Sequence, residues 1–130
     1  YGHHPTEIKE TLKAAKNIPM KKLWCIFQPH TFTRTMALFD EFTEAFENAD
    51  RLIIADIYAA REKDIYKVDS QSLIAKIKEK EPEKFALYFK TFDEIAEFVY
   101  ENAEPGDYVI TMGAGDIFRV GEMILEKDFS

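Results

Sequence analysis

At 130 residues, with 46% hydrophobic and 32% charged residues and only five Gly and five Pro, the chain has the composition of one folding unit with a real core, which excludes disordered, collagen-like and linker-dominated architectures. A formal charge of −7 sets the overall field against a phosphate backbone, and no dense Lys/Arg stripe with interleaved aromatics offsets it, which argues against nucleic acid as a partner. The longest apolar runs, 23–27 and 85–89, fall far short of the ~20 residues of a membrane span, and the one cysteine, Cys25, lies inside the first, so no intrachain disulfide can form and a soluble protein of the reducing cytoplasm is expected.

Pro5 suits the first turn of a helix, where its missing N–H costs nothing, and Ile8, Leu12 and Ala15 follow helical spacing, so a helix is predicted over roughly 5–16. The run Leu23-Trp24-Cys25-Ile26-Phe27 is continuous rather than alternating, as in a strand covered on both faces. Thr33 or Thr35 can cap a second helix over about 34–48, with Leu38, Phe39, Phe42, Ala45 and Phe46 on one side. Leu52 to Ala55 reads as a second strand, Asp69 or Ser70 as the cap of a third helix ending near Lys80, and Phe85 to Phe89 as a third strand. Thr91-Phe92-Asp93-Glu94 has the spacing of a capping box ahead of Ile95, Phe98 and Val99. A fourth strand, Tyr108 to Met112, and a last helix through Ile117, Val120 and Ile124 complete the alternation. Strands alternating with helices across short loops predict a three-layer α/β/α sandwich in one domain, with a Rossmann-like, mostly parallel sheet.

Open parallel sheets bind ligands outside the carboxyl ends of their strands, where loops converge and helix N-termini point outward. Three segments occupy that rim: Gln28 to Thr35, Asp56 to Glu62, and Gly113-Ala114-Gly115-Asp116. Arg34 is the sharpest candidate, because a guanidinium near a helix start opposes the macrodipole and calls for an anion, either a ligand carboxylate or phosphate or a surface Asp or Glu. Arg61 and Arg119 invite the same reading. Gly113 to Asp116 reads as a turn whose amides can approach a ligand, or as a plain strand-to-helix turn with Asp116 capping; it is not the full dinucleotide fingerprint, and no Gly-x-x-x-x-Gly-Lys-Ser/Thr phosphate loop occurs. His3, His4 and His30 lack the spacing of metal ligands, so no metal site is expected, and His30 is read as a hydrogen-bonding residue of the rim.

Taken together, Tyr1-Gly2-His3-His4-Pro5-Thr6-Glu7-Ile8, Phe27-Gln28-Pro29-His30 with Thr33-Arg34-Thr35, Asp56-Ile57-Tyr58-Ala59-Ala60 and Met112-Gly113-Ala114-Gly115-Asp116-Ile117 resemble the C-terminal domain of the Mur ligases of bacterial peptidoglycan synthesis, in their alanine-adding branch. The resemblance covers essentially the whole chain. It implies a three-domain enzyme in which one domain binds a UDP-sugar, a central one carries the ATP phosphate loop, and the third closes over the active site. ATP would phosphorylate the carboxylate of UDP-N-acetylmuramate, with Mg2+ on the phosphates, and the amine of L-alanine would attack the acyl phosphate.

With its start at Tyr1 rather than Met and no phosphate loop, the chain is expected to be the third domain alone, inactive and without bound cofactor by itself. The resemblance implies that Tyr1 and His3 lie near nucleotide and substrate, that Arg34 faces the carboxylate or acyl phosphate, that His30 supports that loop, and that Gly113, Ala114, Gly115 and Asp116 form the neighbouring wall. Many relatives carry Arg where Thr31 stands and Gly where Arg61 stands, and Arg61 is a candidate to replace the lost contact. It also implies that an antiparallel strand joins the sheet. A related ligase that recycles murein peptides is the alternative within the family, and a stand-alone small-molecule binding module the alternative outside it.

Overall fold

A computed structural model describes residues 3–63, 68–113 and 115–129, with residues 128 and 129 described by their backbone only. Its elements run α1 (Pro5–Ala15), β1 (Leu23–Gln28), α2 (Phe32–Ala37), α3 (Phe39–Thr43), β2 (Arg51–Ile54), α4 (Ser70–Lys80), β3 (Phe85–Tyr88), α5 (Phe92–Asn102), β4 (Tyr108–Gly113) and α6 (Phe118–Phe129). The strands form one sheet in the order β3-β2-β1-β4, every pairing parallel. Among the described residues there is no antiparallel strand, so the sheet is parallel rather than mixed. No described helix is long and apolar enough to cross a membrane.

The continuous apolar run of β1 is explained by its central position. Leu23, Cys25 and Phe27 point into one cluster with Ile8 and Leu12 of α1, Phe42 of α3, and Leu73 and Ile77 of α4. Trp24 and Ile26 point the other way, onto Ile95 and Val99 of α5 and Val120 of α6. Helices therefore cover both faces, and the predicted three-layer sandwich is the observed fold. Burial raises the Cys25 thiol to about 12, so it stays protonated and inert.

Helix ends follow local chemistry where the sequence carried it. The His4 ring accepts from Thr6 N at 3.1 Å while Glu7 Oε1 accepts from His4 N at 3.2 Å, with Pro5 opening α1. Asp69, not Ser70, caps α4 through Ser72 N at 2.7 Å. Thr91 and Glu94 form the capping box of α5 as predicted.

The segment expected to be one helix over 34–48 is instead two short ones, begun earlier and capped by Thr31 rather than Thr33 or Thr35. Leu38 leaves helical geometry (φ −110°, ψ 17°), and the chain after α3 proceeds in turns, so that Phe42 and Phe46 both reach Phe27, with ring centroids 5.3 and 5.1 Å away. Carbonyls of those turns find a distant partner: Lys84 Nζ donates to Phe46 O at 2.7 Å and Ala49 O at 2.5 Å. Nothing local in 34–48 announces that partner.

Candidate functional site at the carboxyl edge of the sheet

From β1 the chain steps outward to β2 and β3 and then returns to the other side of β1 as β4. The strand order therefore reverses between β1 and β4, and the loops leaving these two strands diverge to opposite faces, which opens a crevice at their carboxyl ends. Gln28 and Gly113 are register partners at that point. Gly113 has φ +138°, and a Cβ built there would lie 2.6 Å from the carbonyl oxygen of Gln28, so only glycine fits.

Gln28 stitches the three rim segments together. Its buried side chain donates through Nε2 to Asp56 O at 3.2 Å, and its Oε1 lies 3.8 Å from where a Cβ of Gly115 would be. Gly115 (φ +108°) also faces the ring of Tyr58, 3.7 Å from the same position. Beyond Gln28, His30 and Tyr58 form an isolated parallel bridge, with Tyr58 N donating to Pro29 O at 2.8 Å, Thr31 N donating to Tyr58 O at 2.7 Å, and the two rings 5.2 Å apart. The loops after β1 and β2 are thus one unit.

Thr31 caps α2 by accepting from Arg34 N at 3.2 Å, at a backbone setting of φ 59°, ψ 148° that a β-branched residue rarely takes. Thr33 is held from across the rim: Glu62 Oε2 accepts from its hydroxyl at 2.7 Å and Oε1 from its amide at 3.1 Å, and these two bonds lower the Glu62 carboxyl below its usual range. Arg34 follows with an exposed side chain, and the ion pairs among the described residues are all made by lysines. Partial burial lowers the His30 imidazole below its ordinary 6.5, and the Arg34 guanidinium and the nearby His3 add to this while Glu62 opposes it. His30 is therefore neutral at pH 7. At the far end of the rim, Tyr88 donates a short hydrogen bond to Asp56; burial and that bond raise its phenol to about 12.

Of the residues singled out from the sequence, His30, Arg34, Gly113 and Gly115 gather around this crevice, and His3 is close enough to act on His30 electrostatically. Asp116 is exposed just beyond, and its carbonyl accepts from Arg119 N at 2.9 Å in the turn that opens α6. Arg61 is exposed and left-handed (φ 75°), beside Ala60 (φ 49°). Tyr1 and Ala114 lie outside the described residues. Gln28, Glu62 and the Asp56–Tyr88 pair were not singled out; Gln28 stood inside a quoted motif, whereas pattern carries no signal that residue 62 would meet residue 33. Among the described residues no cluster of three His, Cys, Asp or Glu side chains could hold a metal ion. The cleft between Phe32, Asp56, Ile57 and Ser70 measures about 190 Å³, below the several hundred that enclose a drug-sized ligand.

The family described as "Mur ligase, glutamate ligase domain" matches residues 1–115. The UDP-N-acetylmuramate--L-alanine ligase of Clostridium botulinum (strain Okra / Type B1) is 52% identical over 96% of this chain and 27% of its own length. The enzyme of the same name from Acetivibrio thermocellus is 52% identical over 97% of this chain and 26% of its own length. The chain thus spans about a quarter of the curated relatives it matches. Among solved structures, UDP-N-acetylmuramate-alanine ligase MurC from Thermotoga maritima superposes with a TM-score of 0.75 at 22% identity, over 99% of this chain and 25% of that one. A murein peptide ligase from Psychrobacter arcticus gives the same TM-score and identity over 97% of this chain and 26% of its own. At those identities the two structures share the fold.

Proposed function

Because this chain belongs to the Mur ligase family through its glutamate ligase domain, we propose that it is the C-terminal domain of the ATP-dependent ligase that joins L-alanine to UDP-N-acetylmuramate in peptidoglycan synthesis. The observation that carries the reading is the 52% identity to alanine ligases over nearly all of this chain. By fold the alanine ligase and the murein peptide ligase match equally, each with a TM-score of 0.75 at 22% identity, so the preference for the alanine-adding branch over the recycling one rests on the 52% identity to alanine ligases. A sequence without a phosphate loop, and a cleft of only about 190 Å³ beside Asp56, support a domain that completes a site built elsewhere in the full protein, rather than a self-sufficient binding module or enzyme. The full enzyme would work in the cytoplasm, where its nucleotide substrates are.

In this reading the muramate carboxylate takes the γ-phosphoryl group of ATP to give an acyl phosphate and ADP, the alanine amine attacks the carbonyl carbon, and inorganic phosphate leaves as the amine gives up a proton and the amide forms. Arg34 presents a guanidinium to the carboxylate or to the acyl phosphate, and in a closed, water-poor site such a charge-assisted donor stabilises the charge that develops during attack. His30, neutral and bridged to Tyr58, holds the loop that carries Arg34. His3 would lie towards nucleotide and substrate, Gly113, Gly115 and Asp116 would form the wall opposite, and Arg61 would be a second cation on the rim. Magnesium is implied for the complete enzyme by the family resemblance, but the carboxylates described in this rim do not form a ligand set for it: Asp56 is bonded to Tyr88 and Glu62 to Thr33. No step here runs through it.

The test is Arg34→Ala in the full-length ligase. Loss of one transition-state donor should cut kcat/KM by roughly 10²-fold or more, and near-normal kinetics would remove Arg34 from the mechanism. The 130-residue chain alone should show no ATP-dependent ligation of L-alanine to UDP-N-acetylmuramate; turnover by it would refute its role as one domain of several.

A further inference from the structure

Among the described residues, the three non-glycine residues with positive φ are Thr31, Ala60 and Arg61, and all three sit in the two loops that meet at His30 and Tyr58. Backbone strain of this kind persists only where the surroundings over-determine it. Two main-chain bonds between Pro29, Tyr58 and Thr31 tie the loops at their base. Glu62 ties them at the tip.

The left-handed pair Ala60-Arg61 closes a turn in which Glu62 N donates to Ala59 O at 2.9 Å, and this turn aims the Glu62 side chain back across the rim. Both carboxylate oxygens are then used on one residue, Thr33, through its amide and its hydroxyl. Thr33 and Arg34 are the second and third residues of α2, whose first turn leaves amides without helical partners. Thr31 satisfies the amide of Arg34, and Glu62, from a different loop, satisfies that of Thr33. A six-residue helix has little stability of its own, so its direction depends on these attachments.

We infer that Glu62 is a positioning residue for the ligation reaction: its carboxylate clamps Thr33 at the start of α2 and thereby sets the direction of the adjacent Arg34. The inference rests on the proposed role of Arg34, and the experiment separates the two. In the full-length ligase, Glu62→Ala should lower kcat by roughly tenfold, the scale of losing alignment in a polar site, with the KM for ATP unchanged and the thermal midpoint close to that of the parent. Glu62→Gln, which keeps an oxygen for the Thr33 amide and an NH2 that the hydroxyl can accept from, should recover to within about threefold. In an Arg34→Ala background, Glu62→Ala should have no further effect, because it acts through that residue. A full effect of Glu62→Ala on top of Arg34→Ala would overturn the inference, as would a normal kcat for Glu62→Ala where Arg34→Ala is impaired, and in both cases the reading of Arg34 stands. Should Arg34→Ala itself be near normal, both fall. Thr33→Val, which removes only the hydroxyl, should reproduce part of the Glu62→Ala loss.

Discussion

Gly113 and Gln28 sit side by side at the carboxyl ends of β4 and β1, so close that a methyl group on Gly113 would lie 2.6 Å from the Gln28 carbonyl oxygen. The obstacle is backbone, not a flexible side-chain tip, and φ at Gly113 is +138°. Gly113→Ala should therefore destabilise the chain by roughly 2–4 kcal/mol, combining overpacking with conformational strain. Urea unfolding followed by circular dichroism measures it, and a loss below about 0.5 kcal/mol would mean that the two strands separate at that point without cost.

Arg61 holds φ at 75°, a setting that favours glycine, and its side chain is exposed. Arg61→Gly should raise stability by about 0.5–1 kcal/mol, the relief of left-handed strain less the added freedom of glycine in the unfolded chain. Thermal unfolding of the two chains side by side reads this directly. If the substitution destabilises, the Arg61 side chain makes contacts that outweigh the strain.

His30 titrates below its ordinary 6.5 because partial burial, then Arg34 and His3, disfavour its charged form. A lowered imidazole binds fewer protons in the folded than in the unfolded chain, so its contribution to stability is present above pH 6.5 and is lost as pH falls through the folded value. A titration of the His30 ring protons by NMR should give a midpoint under 6.5, and Arg34→Ala should move it upward. A midpoint at or above 6.5 would contradict the arrangement around His30.

Much of the architecture was legible because it is encoded locally. The unbroken run from Leu23 to Phe27 reads as a strand covered on both faces, Pro5 and Thr91-x-x-Glu94 mark helix starts, and the rim loops follow strand ends. Where partners came from far along the chain, reading failed. The segment 34–48 has helical spacing throughout, yet Phe27 and Lys84 draw it into two short helices and a series of turns, and the cap moves back to Thr31.

For the site the division is similar. The sequence by itself determined the fold class, the family and the loops that carry the candidate residues, because strand periodicity, caps and motif spacing are all local properties. The tertiary structure alone decided the strand order, and with it the crevice between β1 and β4, since which strand pairs with which depends on crossovers that no local pattern records. It also decided that Gly113 must lie against Gln28 and that Glu62 holds Thr33 from 29 residues away, contacts between groups whose separation along the chain leaves no periodic trace.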